Sequence, residues 1–140
     1  MTYFLDTNIF LHFLIEDDEN KRAHDDCRAL FQRIKNREIS ALTASLVFAE
    51  IVWVLQSYYS FSKQDIIVAL KTLLSNGITF DDRTDIMRAL ALYQDYSVKF
   101  TDCLIASHQG IQQNILTLIS YDKEFDKLNI KRLEPKELTK

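Results

Sequence analysis

The sequence predicts a single α/β domain in which helices cover both faces of a mainly parallel β-sheet. Short apolar segments alternate along the whole chain with longer segments whose apolar residues recur at helical spacing. Strands that are separated by helices favour parallel pairing, because a parallel pair needs a long crossover connection. The 140 residues, 47% of them hydrophobic, suffice for one core and are too few for two domains. We therefore expect one three-layer domain over residues 1–140.

The N-terminal part of the chain is predicted to contain one strand and two helices. The apolar segment Tyr3 to Leu5 is typical of a strand, and a helix is expected from about Asn8 to Ile15. The acidic turn Glu16 to Glu19 then leads into a second helix, near Lys21 to Lys35. The apolar face of this second helix is formed by Leu30, Phe31 and Ile34.

The middle of the chain is predicted to add one strand and two helices. Ile39 to Thr43 forms the second strand, and Ser45 is expected to cap the N-terminus of the apolar helix that carries Glu50. A further helix is expected from Ser62, a good N-cap residue, to Ser75. It should end at Asn76-Gly77, because glycine is the usual residue just beyond a helix C-terminus.

The C-terminal half continues the alternation of strands and helices. Ile78 to Phe80 is the third predicted strand, followed by a helix from about Thr84 to Ser97. Another helix is expected from Thr101 to about Gln113, and Ile115 to Ser120 is the most strand-like segment of the sequence. Lys131 to Leu133 is expected to add a short edge strand.

Composition narrows the function classes. The net charge of −3 provides no global basic field, so a nucleic-acid substrate would have to be held by local Lys and Arg residues and by metal. Two glycines, Gly77 and Gly110, are too few and too scattered for a phosphate-binding loop or a dinucleotide fingerprint.

Cys27 and Cys103 belong to no paired motif and are expected to be reduced thiols. No signal peptide or membrane span is visible, so we expect a cytoplasmic protein without a membrane partner.

Four acidic residues stand in or beside apolar runs, where a charge needs a reason. Glu50 is the only charged residue in the run 46–55, and an unpaired buried carboxylate costs several kcal/mol or stays protonated. The other three are Asp6, Asp102 and Asp122. Ligands of a parallel sheet bind outside the carboxyl ends of its strands, and converging carboxylates bind hard divalent cations. These residues therefore predict a metal-dependent active site.

Four segments of the sequence resemble the acidic motifs of PIN-domain proteins, and most closely those of the VapC-type toxins of bacterial and archaeal toxin–antitoxin pairs. They occur in the order of the family, with family-like spacing, and span nearly the whole chain. The segments are Leu5 to Leu11, Ala49 to Ile51, Phe100 to Ala106 and Ser120 to Asp126.

The resemblance implies a PIN-like three-layer sandwich and an endoribonuclease that depends on Mg²⁺ or Mn²⁺. It also implies a homodimer and a partner antitoxin that inhibits the enzyme. Many relatives have Ala after the third acid, where this chain has Cys103, a difference that affects packing more than chemistry. The implied catalytic and metal-binding quartet is Asp6, Glu50, Asp102 and Asp122, with Asn8 and Ser120 as supporting residues.

Each acid of the quartet also has a purely structural interpretation. Asp6 could merely cap the first helix, and Asp102 could merely favour the dipole at the start of its own helix. Asp122 could belong to an ordinary turn, and Glu50 could pair with an Arg or Lys inside the core. His12, His24 and His108 are scattered without zinc-ligand spacing, so a zinc site is not expected.

The mechanism that we expect is metal-assisted hydrolysis of a phosphodiester. Asp6, Glu50 and Asp102 would share one ion, and Asp122 would serve a second ion or a bridging water. With no suitable His, a carboxylate would accept the proton. Two rival functions remain open, a phospho-acceptor signalling domain and a catalytically silent binding module.

The predicted inhibitor should present Arg or Lys to the carboxylates. Two segments carry more apolar residues than a small domain easily buries, and they predict a groove for an amphipathic antitoxin helix. They are Ile9 to Ile15 and Ser57 to Phe61, of which the second contains the aromatic pair Tyr58-Tyr59.

Overall fold

A computed structural model describes residues 1–138 and has a five-stranded parallel β-sheet at its centre. The strand order is β3-β2-β1-β4-β5, so β1 lies in the middle between β2 and β4. In that register Phe4 of β1 lies opposite Leu42 of β2 and Leu118 of β4. The prediction of a mainly parallel sheet is confirmed. The strands are β1 (Thr2–Leu5), β2 (Ser40–Thr43), β3 (Thr79–Phe80), β4 (Leu116–Ile119) and β5 (Arg132–Leu133).

Helices cover both faces of this sheet. The chain moves in one direction through β1, β2 and β3, and in the other direction through β4 and β5. Because parallel crossovers are right-handed, the helices of the two halves lie on opposite faces. Accordingly α1 packs on α2 and α3, whereas α5 packs on α6. The helices are α1 (Thr7–Leu14), α2 (Lys21–Lys35), α3 (Ser45–Ser57), α4 (Lys63–Leu74), α5 (Ile86–Asp95), α6 (Phe100–Ala106) and α7 (Gln109–Gln112). Short 3₁₀ helices are Asp18–Asn20, Lys123–Leu128 and Pro135–Glu137.

The core lies between the sheet and these helices. All four residues of β4 are buried, as a strand covered on both faces requires. The apolar face predicted for α2 is buried, and its Phe31 ring lies 5.7 Å from the Phe10 ring of α1. Phe10 in turn contacts Phe48 of α3 at a ring distance of 5.5 Å. This aromatic cluster fixes α1, and with it the residues at the start of α1, on the sheet.

The helix predicted from Thr101 to about Gln113 is wrong as a single element, because the chain breaks it at Ser107-His108. The Ser107 hydroxyl donates to the Leu104 carbonyl at 2.6 Å and so competes with the helix bonds. The buried His108 ring accepts the Gly110 N–H at Nδ1 (3.1 Å) and therefore donates from Nε2 to the Asp81 carbonyl (3.0 Å). A contact from the loop after β3 thus ends α6.

The N-terminus of α3 also differs from the prediction. Ala44 occupies the N-cap position, and Ser45 is the first helical residue. The capping acceptor comes instead from Asp82, whose carboxylate accepts from the Ser45 N–H (2.6 Å) and the Ser45 hydroxyl (2.8 Å). A capping residue 37 positions away is invisible to a local sequence pattern.

The state of the two cysteines agrees with the sequence. Cys27 and Cys103 are buried free thiols, as predicted. Within residues 1–138, no helix is long and apolar enough to cross a membrane.

Candidate active site

The candidate site lies at the carboxyl edge of the sheet, where the chain turns out of β1 and β4. These two strands are neighbours at the point where the strand order reverses, which is the usual ligand position in open parallel sheets. Asp6 directly follows β1, and Ser120 directly follows β4. The Asp6 N–H donates to the Ile119 carbonyl at 3.0 Å, which ties the two strand ends together.

Asp6 is the centre of a hydrogen-bonded network. The buried Ser120 hydroxyl donates to Asp6 Oδ2 at 2.6 Å, and the Asn8 amide donates to the same oxygen at 3.2 Å. The Thr7 N–H donates to Asp6 Oδ1 at 2.8 Å, so Asp6 also caps α1. The capping interpretation of Asp6 is therefore correct, but it accounts for only one of the two carboxylate oxygens.

The Asp6 carboxyl has a pKa raised to about 6. Burial is the main cause, since removal from water disfavours the charged form. The hydrogen bonds from Ser120 and the Thr7 N–H oppose this shift, whereas repulsion from Glu50 and Asp122 adds to it. Glu50 and Asp122 therefore lie close enough to Asp6 to affect its protonation.

Asp102 lies in the first turn of α6 and is almost completely buried. Its Oδ2 atom has no hydrogen-bond partner within the described part of the chain, and its Oδ1 atom lies 4.0 Å from Lys99 Nζ. Burial raises the pKa of Asp102 to about 7, Lys99 lowers it, and the other three acids of the quartet raise it. A buried carboxylate oxygen without a partner is costly, and a cation is the partner that would satisfy it.

Glu50 is less buried than we predicted from the apolar residues that surround it in the sequence. The buried side of α3 carries Val47, Ile51 and Leu55, while Trp53 is 67% exposed. An apolar residue next to Glu50 in sequence therefore does not imply burial, because α3 also carries apolar residues on its open side. Glu50 is half-buried, and its Oε1 accepts the Thr7 hydroxyl at 2.9 Å, which places it beside the start of α1.

Asp122 approaches the site from the turn after β4. Its N–H donates to the Ser120 hydroxyl at 3.0 Å, and its Oδ1 accepts the Glu124 N–H at 2.9 Å. The turn interpretation is therefore correct for one carboxylate oxygen, which caps the following 3₁₀ helix. Asp122 is half-buried, and repulsion from it raises the pKa of both Asp6 and Asp102.

Three residues that the sequence did not indicate help to build the site. The Thr7 hydroxyl holds Glu50, and Lys99 faces Asp102. Arg132 donates from Nη1 to the Ser120 carbonyl at 2.9 Å while its other nitrogens bind the Asp126 carboxylate. Thr7 could have been found as the hydroxyl inside the first acidic motif, but a lone Arg on a two-residue edge strand gives no sequence signal.

The donor set fits a hard divalent cation, although the carboxylates do not form a ready-made cage. No group of three His, Cys, Asp or Glu side chains within residues 1–138 is arranged to hold an ion. The site nevertheless offers carboxylate oxygens, one of them buried without a partner, that repel one another in the absence of a cation. Such oxygen donors suit Mg²⁺ or Mn²⁺ rather than zinc. That Asp6, Glu50 and Asp102 share one ion stays a prediction.

Comparison with known proteins agrees with this site and fold. The family model of the PIN domain matches residues 3–131. The chain belongs to the PIN domain family. This PIN domain is 25% identical over 134 residues to the VapC ribonuclease of Aquifex aeolicus (strain VF5), a match that covers 95% of the chain and 96% of the relative.

A solved structure gives independent support for the fold. It is the crystal structure of VapBC2 from Rickettsia felis bound to a DNA fragment from their promoter. The TM-score is 0.64 at 24% sequence identity, and the match covers 96% of this PIN domain and 98% of the other chain. The family and the three-layer fold that the four motifs implied are thus confirmed, whereas the roles of the individual acids remain predictions.

Proposed function

We propose that this PIN domain, taken as a single domain over residues 1–140, is a divalent-metal-dependent endoribonuclease and the toxin of a toxin–antitoxin pair in the cytoplasm. The nearly full-length likeness to a VapC ribonuclease supports the reaction class. The observation that carries the proposal is the buried, unpartnered Asp102 oxygen in the same acidic cluster as the Asp6 network. A silent binding module would gain nothing from four mutually repelling carboxylates.

The chain's own residues would divide the chemistry as follows. Asp6, Glu50 and Asp102 would hold the ion, with Ser120 and Asn8 keeping Asp6 in position. When bound, a divalent ion supplies positive charge that offsets the negative charge developing on the phosphate. Asp122, which is half-buried, would accept the proton of the attacking water or hold a second ion.

The test of the proposed function is cleavage of RNA by the purified protein. We expect cleavage with Mg²⁺ or Mn²⁺, loss of cleavage with excess chelator, and recovery when the metal is restored. No cleavage under these conditions would favour the silent module, and a stable acyl phosphate formed from a small phosphodonor would favour the signalling domain. Co-expression with the small protein encoded next to it should yield a complex with suppressed cleavage, and a complex with unchanged cleavage would remove the toxin assignment.

The surface for an inhibitor is narrower than the sequence indicated. Ile9 and Phe10 are fully buried in the core and cannot line a groove, whereas Leu11 to Ile15 are half-buried. A cavity of about 120 Å³ opens there next to Asn8. It is lined by Asn8, Leu11, His12, Ile15, Asp17, Asn20 and Tyr59. We assign this cavity to an apolar anchor of the antitoxin helix, from which an Arg or Lys would reach the nearby carboxylates.

A second apolar surface, on α5, supports the homodimer. Large side chains recur there at helical spacing and continue into the start of α6, where the Phe100 ring lies 5.4 Å from the Tyr93 ring. The same stripe on a second copy would face it across a two-fold axis, and a group of six exposed large apolar side chains is typical of an interface. The exposed residues are Ile86, Met87, Leu90, Tyr93, Tyr96 and Phe100.

Leu90→Glu is expected to convert the dimer to a monomer. A charge placed in an apolar contact and repeated in the second copy should raise the dimer dissociation constant by about 100-fold or more. Light scattering after size exclusion measures the mass over a concentration series. Leu74→Glu is the matched control, because Leu74 at the end of α4 has the same 50% exposure as Leu90 but lies outside the stripe. A Leu90→Glu protein that remains dimeric would exclude this interface.

A further inference from the structure

Lys99 is the cation that faces the acidic quartet. Its Nζ lies 4.0 Å from Asp102 Oδ1, and its side chain is 66% exposed whereas that of Asp102 is 6% exposed. Within residues 1–138, no other ion pair involves an acid of the quartet. The remaining ion pairs lie on other acids, from Glu16 at one end to Glu134 at the other.

The geometry of this pair indicates that Lys99 contributes little to the stability of the fold. At 4.0 Å the contact is at the outer limit of an ion pair and includes no hydrogen bond. A pair with an exposed Lys contributes little to stability, because water and salt screen it and the long side chain loses freedom. The ammonium is therefore held loosely beside the site and can leave Asp102 when a better partner arrives.

The chemistry of the proposed reaction defines that partner. The substrate is a polyanion, but it must approach four carboxylates on a chain of net charge −3. Lys is an established phosphate ligand, because its compact ammonium acts as a point charge on a flexible stem. A cation at the rim of the acidic cluster meets the phosphate as it reaches the carboxylates.

We propose that Lys99 is the phosphate-binding residue of this site and exchanges its ammonium between Asp102 and the RNA. This inference rests on the proposed ribonuclease function. Without metal, the ammonium partly neutralises Asp102. An ion held by the carboxylates would repel the ammonium, and the Lys99 side chain would then be available to a substrate phosphate. Lys99 thus competes with the metal for Asp102 and cooperates with it on the substrate.

Lys99→Met should therefore have opposite effects on metal and on substrate. Removing one positive charge next to Asp102 should tighten Mn²⁺ binding by about three- to tenfold, as measured calorimetrically without RNA. At saturating Mn²⁺, the loss of a phosphate contact should raise KM and lower kcat/KM for RNA by about ten- to 100-fold. Lys99→Arg keeps the charge and should retain both properties within about threefold.

Lys71→Met is the matched control, because Lys71 is an exposed Lys at the end of α4 and its loss changes the net charge equally. It should change neither Mn²⁺ affinity nor kcat/KM. The proposal is overturned if Lys99→Met binds Mn²⁺ no more tightly than the parent, or cleaves RNA with an unchanged kcat/KM. A parent protein that cleaves no RNA overturns the ribonuclease function instead, while the Mn²⁺ titration still decides whether Lys99 and the metal compete for Asp102.

Discussion

Asp102→Asn is expected to abolish RNA cleavage and, at pH 8, to make the metal-free protein more stable than the parent. Cleavage should fall by about a thousandfold or more, because the acid at the buried centre of the proposed metal site is removed. We expect the gain in stability because burial raises the pKa of Asp102 and so makes its charged form unfavourable in the folded protein at pH 8. An amide at this position carries no charge. The two effects have opposite sign and separate a catalytic role from a structural one.

The pH dependence of this gain has a defined direction. The pKa of Asp102 is about 7 in the folded protein against an ordinary value of 3.8 for an aspartate in water, so the folded state binds its proton more tightly. Between pH 4 and 7 the unfolded state loses that proton first, and the free energy of unfolding falls with rising pH by about 2–4 kcal/mol from this group. Above pH 7 the loss is complete. Asp102→Asn should lack this decline.

Thermal melts of the metal-free proteins at pH 4 and pH 8 measure this difference. An unpaired amide N–H costs about 1–2 kcal/mol, so we expect a net gain of about 1–2 kcal/mol at pH 8 and none at pH 4. This gain corresponds to a rise in Tm of about 3–8 °C at pH 8. Asp25→Asn, which removes an exposed acid on α2, should change neither Tm nor cleavage. A lower Tm for Asp102→Asn than for the parent at pH 8 would contradict the expectation that the buried Asp102 charge destabilises the metal-free protein.

Ser120→Ala is expected to lower both stability and catalysis. The Ser120 hydroxyl donates to Asp6 and accepts from the Asp122 N–H and the Asn8 amide, so its removal leaves two donors without this acceptor. A buried donor without a partner costs about 1–3 kcal/mol, and we expect the free energy of unfolding to fall by about 2–3 kcal/mol. Cleavage should fall by about ten- to 100-fold, because Asp6 loses the donor that positions it.

The pH–rate profile distinguishes positioning of Asp6 from a general loss of structure. The bond from Ser120 lowers the pKa of Asp6, so Ser120→Ala should raise that pKa above about 6. The acidic limb of the profile should therefore move to higher pH. Ser40→Ala, at an exposed position at the start of β2, should leave the profile and the stability within experimental error. An unmoved acidic limb in a folded Ser120→Ala protein would remove the positioning role of Ser120.

The sequence determined those features that depend on local pattern. Alternating apolar and helical segments placed the strands and most helices within about two residues of their observed ends. Asp6 was recognisable because it directly follows an apolar strand, and Asp102 because it precedes the buried residues of α6. The N-cap at Ser62 also follows from neighbours along the chain.

Features that depend on contacts between distant segments were decided by the tertiary structure alone. The strand order brings β1 beside β4, and only this order lets Ser120 donate to Asp6 across 114 positions of sequence. The half-exposure of Glu50 and the break between α6 and α7 were mispredicted for the same reason. The exposure of Glu50 depends on which other elements pack against α3. The break between α6 and α7 depends on the bond from His108 to the carbonyl of Asp81, which lies in a distant loop. A local pattern records the periodicity of a segment but not its partner, because strand pairing and ion-pair geometry are non-local.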